Sequence, residues 1–372
     1  MISTTVRITP SNPKLDRIAS VELFRIFAIF AVVLLHTQPF GFAASPGGLH
    51  TFATLINLCC RFAVPFFFIA AGFFFGEKIG KGAPVMATFW KSARRLLKLY
   101  VGWSLLYILM PLEYGLKHKD EFIHGGWLAV VVNNLKILQT YGLNLPFQGA
   151  KEVLWFLPAL AIGLGIVAGC EVLGWRRYLP FIAIALYTIG LLGGSYSQLW
   201  TDSSSRNLAF NTRNGPFFST LFVSIGWLIS KRQQKRSRIA GQSTKSSLAA
   251  IAIMLGGLLL QIIEAKGLSA AAAVPLHSFD YSIGTVFFAT GVFLLALARP
   301  TWGKRWPILS WSRYTLGVYL IHHVIVFDLL YPFTKRYNNT LWEIALPIAV
   351  YLASVGMIAL VSRWRLLRPW VM

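Results

Sequence analysis

The chain has 372 residues, of which 56% are hydrophobic and only 13% are charged. Globular proteins carry about 25% charged residues, so this composition excludes an ordinary soluble enzyme and predicts that lipid surrounds most of the surface. The net charge of +22 does not indicate a nucleic-acid partner, because the basic residues form short clusters between long apolar segments, as expected of cytoplasmic loops.

Ten apolar segments are long enough to be membrane-spanning helices. In chain order they cover residues 18–38, 52–75, 96–112, 154–173, 178–194, 216–231, 247–265, 282–298, 314–332 and 342–362. They predict an all-α, polytopic membrane protein with a single domain over residues 1–372. Its parts are a polar N-terminus at 1–17, a transmembrane bundle at 18–362 and a basic tail at 363–372.

The distribution of Lys and Arg predicts the orientation of this bundle. With the N-terminus inside, the segments on the cytoplasmic side carry 24 of the 35 basic residues, and the segments outside carry nine. This count treats residues 127–141, which are amphipathic and too short to span, as an interfacial helix on the outer side. By the positive-inside rule, both termini are expected to be cytoplasmic.

The first span carries the polar residues from which chemistry can be predicted. Ten uncharged residues separate Arg25 from His36. Eleven helical steps make three turns plus about 20° and rise about 16 Å, so both side chains lie on one helix face, with Arg25 in the inner part of the bilayer and His36 near its outer surface. Glu22, three residues before Arg25, can pair with it and lower its burial cost.

Two interpretations of this face are open. Imidazole titrates near neutral pH, so His36 is the natural general base of an enzyme. In the structural alternative, Arg25 snorkels or makes a packing salt bridge, and His36 is a boundary residue bonded to a carbonyl. Finding both residues on one stripe, in a span with few other polar side chains, favours the catalytic interpretation.

Four blocks of sequence carry a resemblance to a known family. They are Glu22, Arg25 and His36 in the first span; the apolar run 64–75, with Ala71 where Ser is usual; Trp-Phe-Leu at 155–157; and Thr-Leu-Gly-Val-Tyr-Leu-Ile-His at 315–322. In this order the chain resembles the acyltransferase 3 family of membrane enzymes, which O-acylate cell-surface carbohydrates. The resemblance covers nearly the whole chain and implies that His36 and Arg25 are catalytic.

The same family carries an Arg-x-x-Arg pair at the start of its third span, which serves acyl-CoA. Here Arg95 matches the first position, whereas Lys98 departs from the second and lacks the planar fork of Arg. Lys91 and Arg94 fall on the same helical face. The resemblance therefore implies that acyl-CoA binds from the cytoplasm through Arg95, Arg94, Lys98 and Lys91. Read without the resemblance, the cluster also fits an anchor to anionic lipid.

The implied reaction moves an acyl group, expected to be acetyl, from acetyl-CoA to a hydroxyl of an exopolysaccharide or a lipid-linked sugar. A small lipophilic acceptor is the second choice, and direct transfer and a transient acyl-enzyme both stay open. His36 removes the hydroxyl proton, while Arg25 either holds a donor phosphate or stabilises developing charge. We expect a bacterial inner membrane protein with polysaccharide-assembly proteins as possible partners. The alternatives are a solute or polysaccharide transporter and a non-catalytic assembly subunit.

The remaining polar residues within the spans are less specific. Arg61 is interpreted as a snorkelling residue or a pair inside the bundle. His322 and His323 are interpreted as packing residues, although His322 lies in a family-like block and could line the site. Five helical steps place His323 and Asp328 about 140° apart, which argues against a dyad. The three cysteines show neither disulfide nor zinc spacing, so no metal is expected.

Overall fold

The computed structural model describes residues 17–40, 47–110, 119–199, 210–236, 244–273, 275–276, 279–330 and 339–372, and in these ranges its regular secondary structure is helical, without a strand. In chain order the helices are α1 (Ala19–Thr37), α2 (Gly47–Cys60), α3 (Ala63–Gly80), α4 (Val85–Leu109), α5 (Lys119–Thr140), α6 (Leu145–Gln148), α7 (Phe156–Val172), α8 (Leu179–Gly193), α9 (Pro216–Arg236), α10 (Thr244–Ala272), α11 (Ile283–Ala298), α12 (Thr315–Val324), α13 (Thr340–Val361) and α14 (Arg368–Val371). This confirms the all-α prediction for the described part of the chain.

Several helices have the length and composition of membrane spans. Five apolar segments are long enough to cross a bilayer: Ala19–Thr37, Thr51–Gly80, Glu152–Val172, Ser246–Ala272 and Thr340–Val361. Helices α8 and α11 are apolar but shorter. Each of the ten predicted spans overlaps at least one helix, whereas the count of ten and the cytoplasmic termini stay predictions. The segment predicted to be interfacial, 127–141, lies mostly within α5, which has a break at Gly126.

The second predicted span, 52–75, is two helices rather than one. α2 ends at Cys60, and α3 begins after a two-residue turn formed by Arg61 and Phe62. Pro65 has no amide hydrogen to donate to the carbonyl of Arg61, so a continuous helix would lose this hydrogen bond. Arg61 lies at the turn and its Nε donates to Asn57 Oδ1 at 3.0 Å, which confirms a pair inside the bundle.

Helices α3 and α9 pack closely against each other within the bundle. A Cβ atom added to Gly72 would overlap the carbonyl oxygen of Val223, and one added to Gly226 would overlap that of Ile69. Both contacts involve main chain, which cannot move aside as a flexible side chain does. Small residues at these two positions therefore set the distance between α3 and α9.

The bundle has two ends, which we call the Arg25 end and the His36 end after residues near the start and near the end of α1. At the Arg25 end, Ser20 Oγ at the start of α1 donates to the carbonyl of Ala296 near the end of α11. At the His36 end, Tyr187 Oη of α8 donates to the carbonyl of Ser282, immediately before α11, at 2.7 Å. Arg25 and His36 thus point to opposite ends of the bundle.

Residues 363–372, predicted as a basic tail, dock on the bundle at the Arg25 end. Trp103 Nε1 of α4 donates to the main-chain oxygen of Trp370 at 2.9 Å. The Trp370 ring packs against Gly102, and Val371 is buried against Gly317 of α12. Because charged residues are frequent in this segment, its apolar contacts could not be predicted from the charge pattern.

Candidate functional site

Helix α12 packs along the face of α1 that carries Arg25. The Arg25 Nη1 atom lies 3.3 Å from Glu22 Oε2, which confirms the predicted pair. Arg25 Nη2 also donates to Thr315 Oγ1, the first residue of α12, at 3.2 Å. The first polar residue of the α1 face is therefore held by its own helix and by the start of α12.

His36, near the other end of α1, lies beside two histidines of α12. Its ring centroid is 5.0 Å from that of His322 and 6.1 Å from that of His323. From the sequence, His322 had two interpretations, as a packing residue or as part of the site, and the structure places it beside His36. The α1 face with Arg25 and His36 therefore meets α12 at both of its ends.

The hydrogen bonds of His322 determine which nitrogen carries its proton. His322 is fully buried, and its Nδ1 lies 2.7 Å from the carbonyl oxygen of Tyr319 and 3.1 Å from that of Val318. Since carbonyls only accept, Nδ1 must donate and Nε2 carries the lone pair. Nε2 makes no hydrogen bond to any described residue, so a proton acceptor is available one ring away from His36.

The four cations predicted to bind the donor all lie exposed on α4, near the Arg25 end: Lys91, Arg94, Arg95 and Lys98. Arg95 is close enough to Arg25 for their charges to repel each other. Arg95 of α4 is thus within electrostatic range of Arg25 on α1.

The docked C-terminal segment borders this cluster. The Lys98 Nζ atom lies 4.7 Å from the centroid of the Trp370 ring, and Arg95 Nη2 donates to the main-chain oxygen of Met372. Arg94 lies instead over the ring of Trp90, at 6.0 Å. The sequence did not predict Trp370 as a neighbour of the cluster, because 272 positions separate it from Lys98 and no motif connects them.

A cation that the sequence did not single out lies at the His36 end. Arg213, in the turn before α9, places its guanidinium 5.0 Å from the ring centroid of Trp155. Its Nη1 lies 3.3 Å from Asp280 Oδ2, and its charge acts on His36 and Tyr319. The sequence signal that bears on this position is Trp155, the residue under Arg213, because it lies in one of the four family-like blocks.

Two hydroxyl groups hold the turn that carries Arg213. Thr212 Oγ1 donates to the carbonyl of Gly190 at 2.8 Å and lies 3.1 Å from Tyr281 Oη. Burial raises the pKa of Tyr281, so its hydroxyl keeps its proton and donates to Thr212. The turn is thereby fastened to α8 and to the segment before α11.

A groove at the Arg25 end does not coincide with this site. It has a volume of about 690 Å³ and is lined by Leu23, Phe24, Phe27 and residues 301–306, and neither Arg25 nor His36 lines it. Among the residues that the structure describes, no group of His, Cys, Asp or Glu side chains is placed to hold a metal ion. The side chain of Asp328 lies outside the described residues.

Comparisons with known proteins identify related sequences. Residues 18–362 match the model of the acyltransferase 3 family, described as an acyltransferase domain. The chain is similar to a serine/alanine racemase of Enterococcus gallinarum, 26% identical over 323 residues, which are 81% of this chain and 40% of that protein. An amino-acid racemase of Enterococcus faecalis is 29% identical over 237 residues, 61% of this chain and 30% of that protein. The chain thus spans less than half the length of these relatives, and no solved structure matches it.

Proposed function

Because the chain belongs to the acyltransferase 3 family and is therefore an acyltransferase, we propose that it transfers acetyl from acetyl-CoA to a hydroxyl of an exopolysaccharide or a lipid-linked sugar. The donor binds at the Arg25 end and the acceptor at the His36 end. The protein works in a bacterial inner membrane, with the Arg25 end toward the cytoplasm, beside polysaccharide-assembly proteins.

The observation that carries this proposal is the α1 face packed against α12. It joins Arg25, near the exposed cations of α4, to His36, beside the buried lone pair of His322. A transporter also has polar residues inside a bundle, and the match to the acyltransferase 3 family favours the catalytic role for this face. The arrangement supports chemistry on a hydroxyl at the His36 end.

The length of this face favours one of the two roles considered for Arg25. Eleven helical steps separate it from His36 by about 16 Å, too far to stabilise charge on an acyl group that reacts at His36. The distance is comparable to the extended pantetheine arm of coenzyme A. Arg25 therefore holds a donor phosphate, and Arg95, Arg94, Lys98 and Lys91 supply further positive charge to the nucleotide part.

At the His36 end, the acceptor hydroxyl loses its proton, and the acyl carbon exchanges its bond to sulfur for a bond to oxygen. His36 removes the proton of the acceptor hydroxyl, whose oxygen attacks the thioester carbonyl carbon. The new C–O bond forms as the C–S bond breaks, and the coenzyme A thiolate leaves and takes up a proton. A hydrogen bond to Nε2 of His322 orients either the hydroxyl or the His36 ring.

Incubation of the purified protein with labelled acetyl-CoA and a panel of glycans tests the proposed function. Acid-stable, base-labile label on a glycan is expected, since an O-acetyl ester hydrolyses in base. Uptake of a glycan into proteoliposomes without any labelled product would support a transporter instead. If neither labelled product nor glycan uptake is detected, the result would support a non-catalytic subunit.

We expect Arg95→Ala to weaken acetyl-CoA binding more than Arg313→Ala does. Arg95 lies near Arg25 and shares a face with three other cations, whereas Arg313 is an exposed cation stacked on Tyr314, at 4.7 Å. Loss of one charge-assisted contact to phosphate corresponds to about a tenfold to hundredfold weaker binding. Titration of both variants in detergent measures this effect, and equal dissociation constants would mean that the cluster only anchors α4 to lipid.

A further inference from the structure

The His36 end contains buried polar groups that the proposed reaction does not use. The side chain of Asn214 is fully buried, and neither its amide nitrogen nor its oxygen bonds to any described residue. The Nε of Arg213, the preceding residue, is also buried without a partner in the described part of the chain. Buried polar groups in folded proteins are almost always hydrogen-bonded, so these three atoms point to a ligand or ordered water.

One edge of the Arg213 guanidinium pairs with Asp280, and the other, which we call the open edge, makes no hydrogen bond at Nε to any described residue. Nη1 lies 3.3 Å from Asp280 Oδ2, and one face of the group covers Trp155. Nε and Nη2 form the other edge, whose two parallel N–H groups match the oxygens of a carboxylate or a phosphate. The Arg213 side chain is 21% exposed and that of Asp280 is 46% exposed, so the ion pair lies where the buried cluster opens to its surroundings.

The charges around this cluster favour an anion. Arg61 is near enough to be influenced by both Arg213 and Asp280, so two cations share one carboxylate. Arg61 already bonds to Asn57, whereas the Nε edge of Arg213 is open. A negatively charged ligand on Arg213 would therefore reduce the net positive charge in a partly buried region.

A continuous set of aromatic rings connects the cluster with His36. Trp155, under Arg213, precedes Phe156, whose ring centroid is 5.3 Å from that of Tyr319. The Tyr319 ring is 6.0 Å from His322, and the His322 ring is 5.0 Å from His36. The charge of Arg213 also acts on His36, so a ligand bound to Arg213 would lie within electrostatic range of the proton acceptors of the site.

We propose that Arg213 and Asn214 form an acceptor subsite that selects a sugar bearing a carboxylate or phosphate near the hydroxyl to be acylated. The open edge of Arg213 binds the anionic oxygens. The Asn214 amide, a donor and an acceptor at once, binds a neighbouring sugar hydroxyl. Arg213 is therefore a specificity residue. This inference rests on the proposed function and adds the chemical class of the acceptor.

Three simple acceptors test this inference: methyl glucoside, methyl glucuronide and glucose 1-phosphate. The wild-type protein should acetylate at least one acidic acceptor with a kcat/KM about tenfold to a hundredfold above the neutral one, through a lower KM. The acidic acceptor with the higher kcat/KM identifies carboxylate or phosphate as the natural group. Equal values for all three would overturn the inference without touching the proposed function.

The variant Arg213→Gln should remove this preference, by lowering kcat/KM for the acidic acceptors to the level measured with methyl glucoside. Arg177→Gln is the matched control, because Arg177 also stacks on an aromatic ring, that of Tyr178 at 4.6 Å, but lies at the Arg25 end. A loss shared equally by neutral and acidic acceptors would show that Arg213 only supports the fold. If Arg213→Gln does not fold, the wild-type preference decides alone.

Ligand binding separates the inference from the proposed function. If the wild-type protein transfers no acetyl group, thermal unfolding in detergent is measured with each of the three sugars. Stabilisation by an acidic sugar, absent with methyl glucoside and lost in Arg213→Gln, would retain the subsite while the acyl-transfer proposal fails. No stabilisation by either acidic sugar would overturn the subsite.

Discussion

Replacing His36 by Gln is expected to lower acetyl transfer by about 10²–10⁴-fold, the usual effect of losing a general base. Gln keeps a polar side chain near the rings of His322 and His323, so the packing at the end of α1 changes little. The proposed donor site is at the other end of α1, so the dissociation constant of acetyl-CoA should stay within about twofold. Initial rates with labelled acetyl-CoA, together with a donor titration, give both quantities.

Thr37→Val is the matched control for His36→Gln. Thr37 is the next residue of α1, is buried, and uses its hydroxyl to bond to the carbonyl of Val33 at 3.0 Å. Its hydroxyl therefore serves the helix, and we expect the Val variant to transfer acetyl at nearly the wild-type rate. Wild-type activity in His36→Gln would remove His36 from the mechanism, and an equal loss in both variants would indicate damage to the end of α1.

The second large effect is expected from Gly226→Val, which should prevent stable assembly of the bundle. The added carbons would enter the space of the Ile69 carbonyl, and the main chain of α3 cannot move without separating from α9. Overpacking of this kind costs about 3 kcal/mol or more. We expect little monodisperse protein after extraction, or a clearly lower unfolding temperature, measured by size-exclusion chromatography and thermal unfolding in detergent.

Gly256→Val is the control for this effect. Gly256 is also inside a long helix, α10, but a Cβ atom there would meet nothing within 4 Å. The same three carbons added at this position should leave extraction and unfolding temperature close to those of the wild type. If Gly226→Val and Gly256→Val lower extraction and unfolding temperature equally, then the loss of a glycine from a helix causes the effect. The close packing of α3 on α9 would then not explain it.

The sequence predicted the parts of the site that lie on one helix. The spacing of Arg25 and His36, and the position of Glu22 one turn before Arg25, follow from helical periodicity alone. The structure confirms the Glu22 pair, and the family match supports an acyltransferase. The roles of His36, and of Arg95 with its neighbouring cations, stay predictions until variants are measured.

Contacts between distant parts of the chain could not be predicted in this way. His322 is next to His36 because α12 packs on α1, and periodicity within one helix does not show which helices are neighbours. Arg213 comes from a turn, where no repeating pattern places the side chain. The break between α2 and α3 was missed because hydropathy continues through it, although Pro65 was a signal for it.

The central claim is that donor and acceptor reach one site from opposite ends of the bundle, and sealed membrane vesicles of known orientation test it most directly. In inside-out vesicles, acetyl-CoA is added outside and an impermeant glycan is enclosed, and the reverse arrangement is made in right-side-out vesicles. Labelled glycan is expected in both preparations, and none when acetyl-CoA is placed on the extracytoplasmic side. Product formed only when donor and glycan share one side of the membrane would contradict it.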